Sequence, residues 1–162
     1  MMNITVICVG KLKEKFYADA VAEYQKRLGA YCKLDVVELG EEKLPKDPSP
    51  ALIATALAKE AAAIRAKLPP SAYVTALCVE GRMRSSEELA VKLRSAARGD
   101  VAAKRLVFLI GGSYGLDESL KREANDRLSM SPMTFPHHLA RVMLLEQLYR
   151  GFKINEGSAY HK

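Results

Sequence analysis

The chain reads as a single α/β domain, residues 1–162, built on a mainly parallel sheet with helices on both faces. Three observations predict it. Short β-branched or wholly apolar runs alternate with amphipathic helical patterns about five times. The runs lack the in-out alternation of a half-solvated strand, as expected where helices cover both faces. No linker, repeat or low-complexity stretch divides the 162 residues, which suit one core.

Residues 4–9 are β-branched and continuously apolar, and Gly10 ends this first strand. Tyr17, Val21, Tyr24 and Leu28 then recur on one helical face up to Gly29. Residues 34–39 form a second strand. A proline-rich loop over 44–50 leads into a helix capped by Ser49, with Pro50 in its first turn. Ile53, Leu57, Ile64 and Leu68 mark its inner face, on which Glu60 is the one polar member, and Pro69-Pro70 closes it. Residues 73–79 are a third strand. Ser85 and Glu88 make a capping-box pattern, after which Leu89, Leu93 and Ala96 line a helix ending at Gly99. The run RLVFLI over 105–110 is the strongest buried-strand signal, and Gly111-Gly112 terminates it. A short helix over 117–125 and a brief extended segment over 128–130 follow. Pro132 and Pro136 break regular structure before a long helix that begins near His137. The rule that chains avoid knots draws an ordinary open sheet, with the strand order unspecified.

Composition narrows the function classes. Apolar residues at 49% and charged residues at 27% are ordinary globular values. No stretch approaches the roughly 20 apolar residues of a membrane span, and the start lacks an export pattern, so a cytoplasmic protein without a membrane partner is expected. Cys8, Cys32 and Cys78 are far apart with no Cys-x-x-Cys, which suits a reducing compartment, and Cys8 and Cys78 are expected to be inert core thiols. A net charge of +6 favours a polyanionic partner without deciding for one. The basic residues are dispersed, with small groups at Lys11, Lys13 and Lys15, at Arg82 and Arg84, and at Arg141, Arg150, Lys153 and Lys162.

In the last helix Leu139, Val142, Met143, Leu144, Leu145, Leu148, Phe152 and Ile154 are not confined to one stripe. Such a helix needs cover on more than one side, either from an identical subunit or as the central helix of a monomer.

Ligands in open α/β sheets collect beyond the carboxyl ends of the strands, where Gly111-Gly112-Ser113-Tyr114-Gly115 lies. That stretch is neither a dinucleotide fingerprint nor a phosphate loop, and reads equally as a tight turn or a binding loop. In residues 129–136 two prolines stiffen a segment where methionines and a phenylalanine mix with hydroxyls. It serves either as a linker or as a clamp for a flat base. His137-His138 lacks the spacing of paired helical metal ligands, and no metal is expected. The end, with Tyr160, His161 and Lys162, either frays or brings an aromatic, a titratable ring and a cation to a nucleic-acid base.

Residues 129–137, Arg141, the run EQLYR over 146–150, Lys153-Ile154, Gly157 and the terminal Tyr160-His161-Lys162 carry a specific resemblance. With Val9-Gly10-Lys11-Leu12-Lys13 and Phe108 to Gly112, they make the whole chain similar to the ribosomal RNA large-subunit methyltransferase H family of the SPOUT class. The resemblance implies a parallel sheet whose C-terminal part threads a trefoil knot, contrary to the open sheet drawn above. It also implies a homodimer, an S-adenosylmethionine cofactor leaving as S-adenosylhomocysteine, and N3-methylation of a pseudouridine in 23S rRNA on the assembled 70S ribosome. Carried over by position, the cofactor contacts are Leu77, Gly111, Met130, Ser131, Pro132, Met133, Thr134 and Phe135. His161, in this subunit or its partner, is expected to accept the imide proton while Arg141 and Tyr160 orient the base, and Arg150 or Lys162 meets phosphate. A transfer-RNA methyltransferase of the same class and a non-catalytic ribosome or RNA-binding module are the alternatives. The chain departs from the family pattern at Pro132 and His138, where lysine and glutamine are usual. It departs again at Gly151, which gives up about 1 kcal/mol of helix propensity.

Overall fold

The computed structural model describes residues 1–101 and 105–162. Strands with no polar face must lie where helices cover both sides, and β1 (Met2–Val9) and β4 (Arg105–Ile110) are neighbours inside the sheet. The other strands are β2 (Cys32–Leu39), β3 (Ala72–Met83) and β5 (Asp126–Ser129). All neighbours pair parallel, in the order β2-β1-β4-β3-β5.

The two-residue period of the strands sorts their side chains into two cores. Ile4, Val6 and Cys8 with Leu106, Phe108 and Ile110 face α1 (Lys15–Leu28), α3 (Ser86–Arg98) and α5 (His137–Asn155). Ile7 and Val9 with Val107 and Leu109 face α2 (Pro50–Lys67) and α4 (Glu118–Glu123). The expected caps are present. Ser49 Oγ accepts the Leu52 N-H at 3.2 Å, Ser85 and Glu88 exchange both capping-box bonds, and Gly99 takes the left-handed conformation. No helix among the described residues is long and apolar enough to cross a membrane.

Two expectations are corrected. β3 runs four residues past Val79, because its second half leaves β4, which stops at Ile110, and pairs only with β5. The register shifts between Leu77 and Arg82, and a Cβ on Gly81 would stand 2.9 Å from the Arg127 and Leu128 backbone. Cys8 is a core thiol pushed by burial up to about 12, whereas Cys78 is only half-buried and opens onto the cavity described below.

The propensity given up at Gly151 has a packing reason. This residue is buried where α5 crosses α3, and a Cβ there would meet Leu93 Cδ1 at 2.7 Å, with the Ala90 backbone 3.5 Å away. The helix gives up propensity so that two helices can approach closely. Gly151→Leu should therefore destabilise the protein by about 1–3 kcal/mol through overpacking, although leucine is the better helix former by about 0.8 kcal/mol. A urea midpoint at or above that of the parent chain would show that the close approach is not needed.

Candidate active site

The carboxyl ends of β3 and β4 leave a space that two loops close. β4 ends in a turn over 111–115, in which the Gly115 N-H donates to the Gly112 carbonyl at 3.0 Å and Gly115 has a φ of +79°. Gly111 is obligatory by packing, since a Cβ would fall 2.3 Å from the Gly115 carbonyl carbon. Glu41, in the loop after β2, holds this turn from behind by accepting the Ser113 N-H at 2.7 Å. The second loop, 130–136, follows β5. The Ser129 hydroxyl donates to the Ser131 carbonyl at 3.0 Å, and Ser131 Oγ accepts the Met133 N-H at 3.0 Å, so the segment is shaped by its own hydroxyls.

These loops meet across a cavity of about 640 Å³. Of the residues carried over as cofactor contacts, Leu77, Gly111, Met130, Ser131, Met133, Thr134 and Phe135 line it, and Pro132 does not. Cys78, read from the sequence as a core thiol, also lines it, as do Glu80 and Lys121, which apolar patterning does not single out. Lys121 Nζ donates to Glu80 Oε1 at 2.6 Å. That bond chiefly holds the Glu80 carboxyl below its usual range. Burial would lower the Lys121 pKa, but Glu80 and Glu118 outweigh it and the ammonium is favoured. A polar wall thus faces Leu77, Met130 and Phe135. His137 and Ala140 of α5 close the cavity. Burial, with His138 close by, pushes the His137 pKa down and favours the neutral ring.

A full-length match identifies the architecture: the family described as "Predicted SPOUT methyltransferase" covers residues 2–161. The chain belongs to the SPOUT methyltransferase family. It is 48% identical over 161 residues to the ribosomal RNA large subunit methyltransferase H of Bifidobacterium adolescentis, covering 99% of this chain and 100% of that relative. It is 49% identical over 164 residues to the protein of the same name in Clostridium novyi, with the same coverage. Among solved structures, a probable methyltransferase from Bordetella pertussis Tohama I superposes with a TM-score of 0.58 at 16% identity, over 93% of this chain and 96% of that one. A probable methylase family protein from Haemophilus influenzae Rd KW20 gives 0.56 at 14%, over 99% of this chain and 71% of that one. These two likenesses concern the fold.

The remaining candidates of this SPOUT chain lie elsewhere. Arg141 does not face the cavity. It is 1% exposed, with Nη1 donating to Glu38 Oε2 at 2.6 Å and Nη2 to the Gly10 carbonyl at 2.9 Å. A guanidinium so enclosed holds α5 to the ends of β1 and β2, which corrects its expected role against a base. The tail is ordered rather than frayed. Tyr160 packs edge-on to Tyr149 at 5.0 Å and donates to Glu146 Oε1 at 3.2 Å. His161 Nε2 lies 2.8 Å from Glu87 and Nδ1 lies 3.1 Å from Arg150, which also pairs with Glu146. None of Arg150, Tyr160, His161 and Lys162 lines the cavity of its own subunit.

The Arg141 clamp makes stability depend on acid. Burial alone would raise the Glu38 carboxyl, but the hydrogen bonds from Arg141 and the Leu12 N-H outweigh it and the folded value is lowered. The contribution is full above the unfolded value and is lost as pH falls below about 4.3 through the folded value. Glu38→Gln should lose less stability than the parent between about pH 6 and about pH 3.5. Parallel urea curves at both pH values measure this, and equal losses would remove Glu38 from the account.

Proposed function

We propose that this protein transfers a methyl group from S-adenosylmethionine to N3 of a pseudouridine in 23S rRNA of the assembled 70S ribosome, releasing S-adenosylhomocysteine and acting as a homodimer. The observation that carries the reading is the meeting of the glycine turn after β4 with the 130–136 loop around one cavity, whose size suits an adenosyl group. Full-length likeness to proteins named for ribosomal RNA methylation supplies the substrate class.

A bound sulfonium supplies a methyl group that is already activated, so the chain's task is to position the acceptor nitrogen and relieve it of its proton. Leu77, Met130, Met133 and Phe135 offer apolar walls to the adenine. The backbone of Gly111, Ser131 and Thr134 offers groups to its edge. Glu80, held ionised by Lys121, offers an acceptor to hydroxyls. The tail's distance from its own cavity is our reason for assigning it to the partner's, where Tyr160 orients the base, His161 accepts the imide proton, and Arg150 and Lys162 meet phosphate. A groove of about 480 Å³ beside the half-buried Val142 and Met143 offers apolar surface for the second copy. The same reading includes the trefoil knot. Its support is membership of the SPOUT methyltransferase family.

The test is to incubate the protein with labelled S-adenosylmethionine and ribosomes lacking the modification, then map the methylated nucleotide by mass spectrometry. Label on transfer RNA instead, or binding of ribosomes with no calorimetric signal for the cofactor, would replace the reading with one of its alternatives. Gly111→Ala should weaken cofactor binding by at least ~30-fold, because its Cβ collides with backbone. His161→Ala should leave that affinity unchanged and slow single turnovers by at least ~10-fold. Rates within about twofold of the parent across pH 6 to 9 would end the proton-acceptor assignment.

A further inference from the structure

A second cavity, of about 630 Å³, lies beside the first at the carboxyl ends of β1 and β2. Ala56 and Leu57 of α2 help give it an apolar floor, and Glu60 stands in that floor, 7% exposed. Glu60 Oε2 accepts the Glu42 N-H at 2.9 Å, and Oε1 has no hydrogen-bond partner among the described residues. Burial raises the Glu60 pKa, with the charges of Glu41 and Glu42 adding to the effect and the Glu42 N-H opposing it.

The rim has the opposite character. Lys11, Lys13 and Lys43 are exposed there, and none forms an ion pair among the described residues. Glu41 and Glu42 also line the cavity, but Glu41 is engaged in holding the Ser113 N-H. Ser113, Tyr114 and His137 line both cavities and form their common wall.

An apolar floor with one buried acceptor and a cationic rim matches a nucleotide: a flat ring, an N-H edge and flanking phosphates. A purely apolar ligand would leave Glu60 and the lysines unmatched, and an acidic one would oppose Glu60. We propose that this second cavity seats the RNA nucleotide that is to be methylated, with its ring on the α2 floor, a ring N-H donated to Glu60 Oε1, and its phosphates at Lys11, Lys13 and Lys43. The inference rests on the methyltransferase reading above and adds the place of the acceptor base. At the residues common to both cavities, N3 of the seated base faces the methyl-donor cavity. Glu60 is also a specificity device, because a pseudouridine-type ring has a second ring N-H, at N1, to donate to it while N3 stays free for the methyl group, whereas N1 of uridine is bonded to ribose and has none.

The experiment uses the full-length protein, S-adenosylmethionine and ribosomes lacking the modification. Leu57→Trp fills the floor, and Glu60→Gln can keep the Glu42 N-H bond while turning an NH₂ toward the base. Both variants should bind the cofactor within about twofold of the parent by calorimetry and lose at least ~30-fold in kcat/KM for ribosomes. Folded variants that methylate within about threefold of the parent overturn the proposal. Where a variant fails to fold, ultraviolet cross-linking of the parent protein to those ribosomes decides. Cross-linked peptides spanning residues 40–60 support the seat, and cross-links confined to other segments overturn it. A parent protein that neither binds the cofactor nor methylates ribosomes overturns the parent reading itself. Activity in both parent and variants overturns only the second cavity.

Discussion

The first turn of α5 is held to the sheet by one buried charge, and the site hangs from that turn. A guanidinium removed from water needs an opposite charge and hydrogen-bond acceptors together. Arg141 finds them in Glu38 at the end of β2 and in the Gly10 carbonyl at the end of β1. Pro136, His137 and Ala140, which line the candidate cofactor cavity, flank this anchor, so moving the turn would move the cavity wall. Gly10 takes part in the packing as well. Its φ is +98°, and a Cβ there would come within 3.2 Å of His137 Nε2.

On the opposite wall, contacts between loops replace the sheet as the source of rigidity. Glu41 reaches from the loop after β2 to the turn after β4, and a Cβ on Gly112 would stand 2.6 Å from its Oε1. The loops after β1, β2 and β4 and the first turn of α5 therefore constrain one another at one end of the sheet. A cavity whose walls are fixed before a ligand arrives costs less ordering on binding. The glycines serve that end: where Gly111 and Gly112 lack side chains, other chain segments come close.

What the sequence disclosed follows from which physics is local. Helix caps at Ser49 and Ser85, the doubly buried runs of β1 and β4, and the glycine turn are set within a few residues, and each was readable. Gly151 looked like a lapse in a helix because the contact that requires it, with Leu93, lies 58 positions away, counting from 93 to 151. Arg141 looked like a ligand for a base because its partners, Glu38 and Gly10, are contributed by distant strand ends. Glu41 and Glu80 carry no signal, because their partners become neighbours only through the fold. The second half of β3 was hidden for a related reason. Paired with β5 alone, it needs no apolar pattern to hold it.

Charge shows the same shift from composition to position. A net +6 spread over the chain says little about where an RNA would lie. In the structure many of the cations are already occupied: Arg141 with Glu38, Arg150 with Glu146, Lys153 with Glu156, and Arg84 and Lys92 with Asp126. Cations committed to carboxylates exchange one partner for another on meeting phosphate and gain less than free ones. Lys11, Lys13 and Lys43 carry no such commitment among the described residues, and they stand at the carboxyl ends of β1 and β2, where the two cavities share a wall. Uncommitted charge and open cavity coincide at that end of the sheet, which is why we place the acceptor nucleotide there.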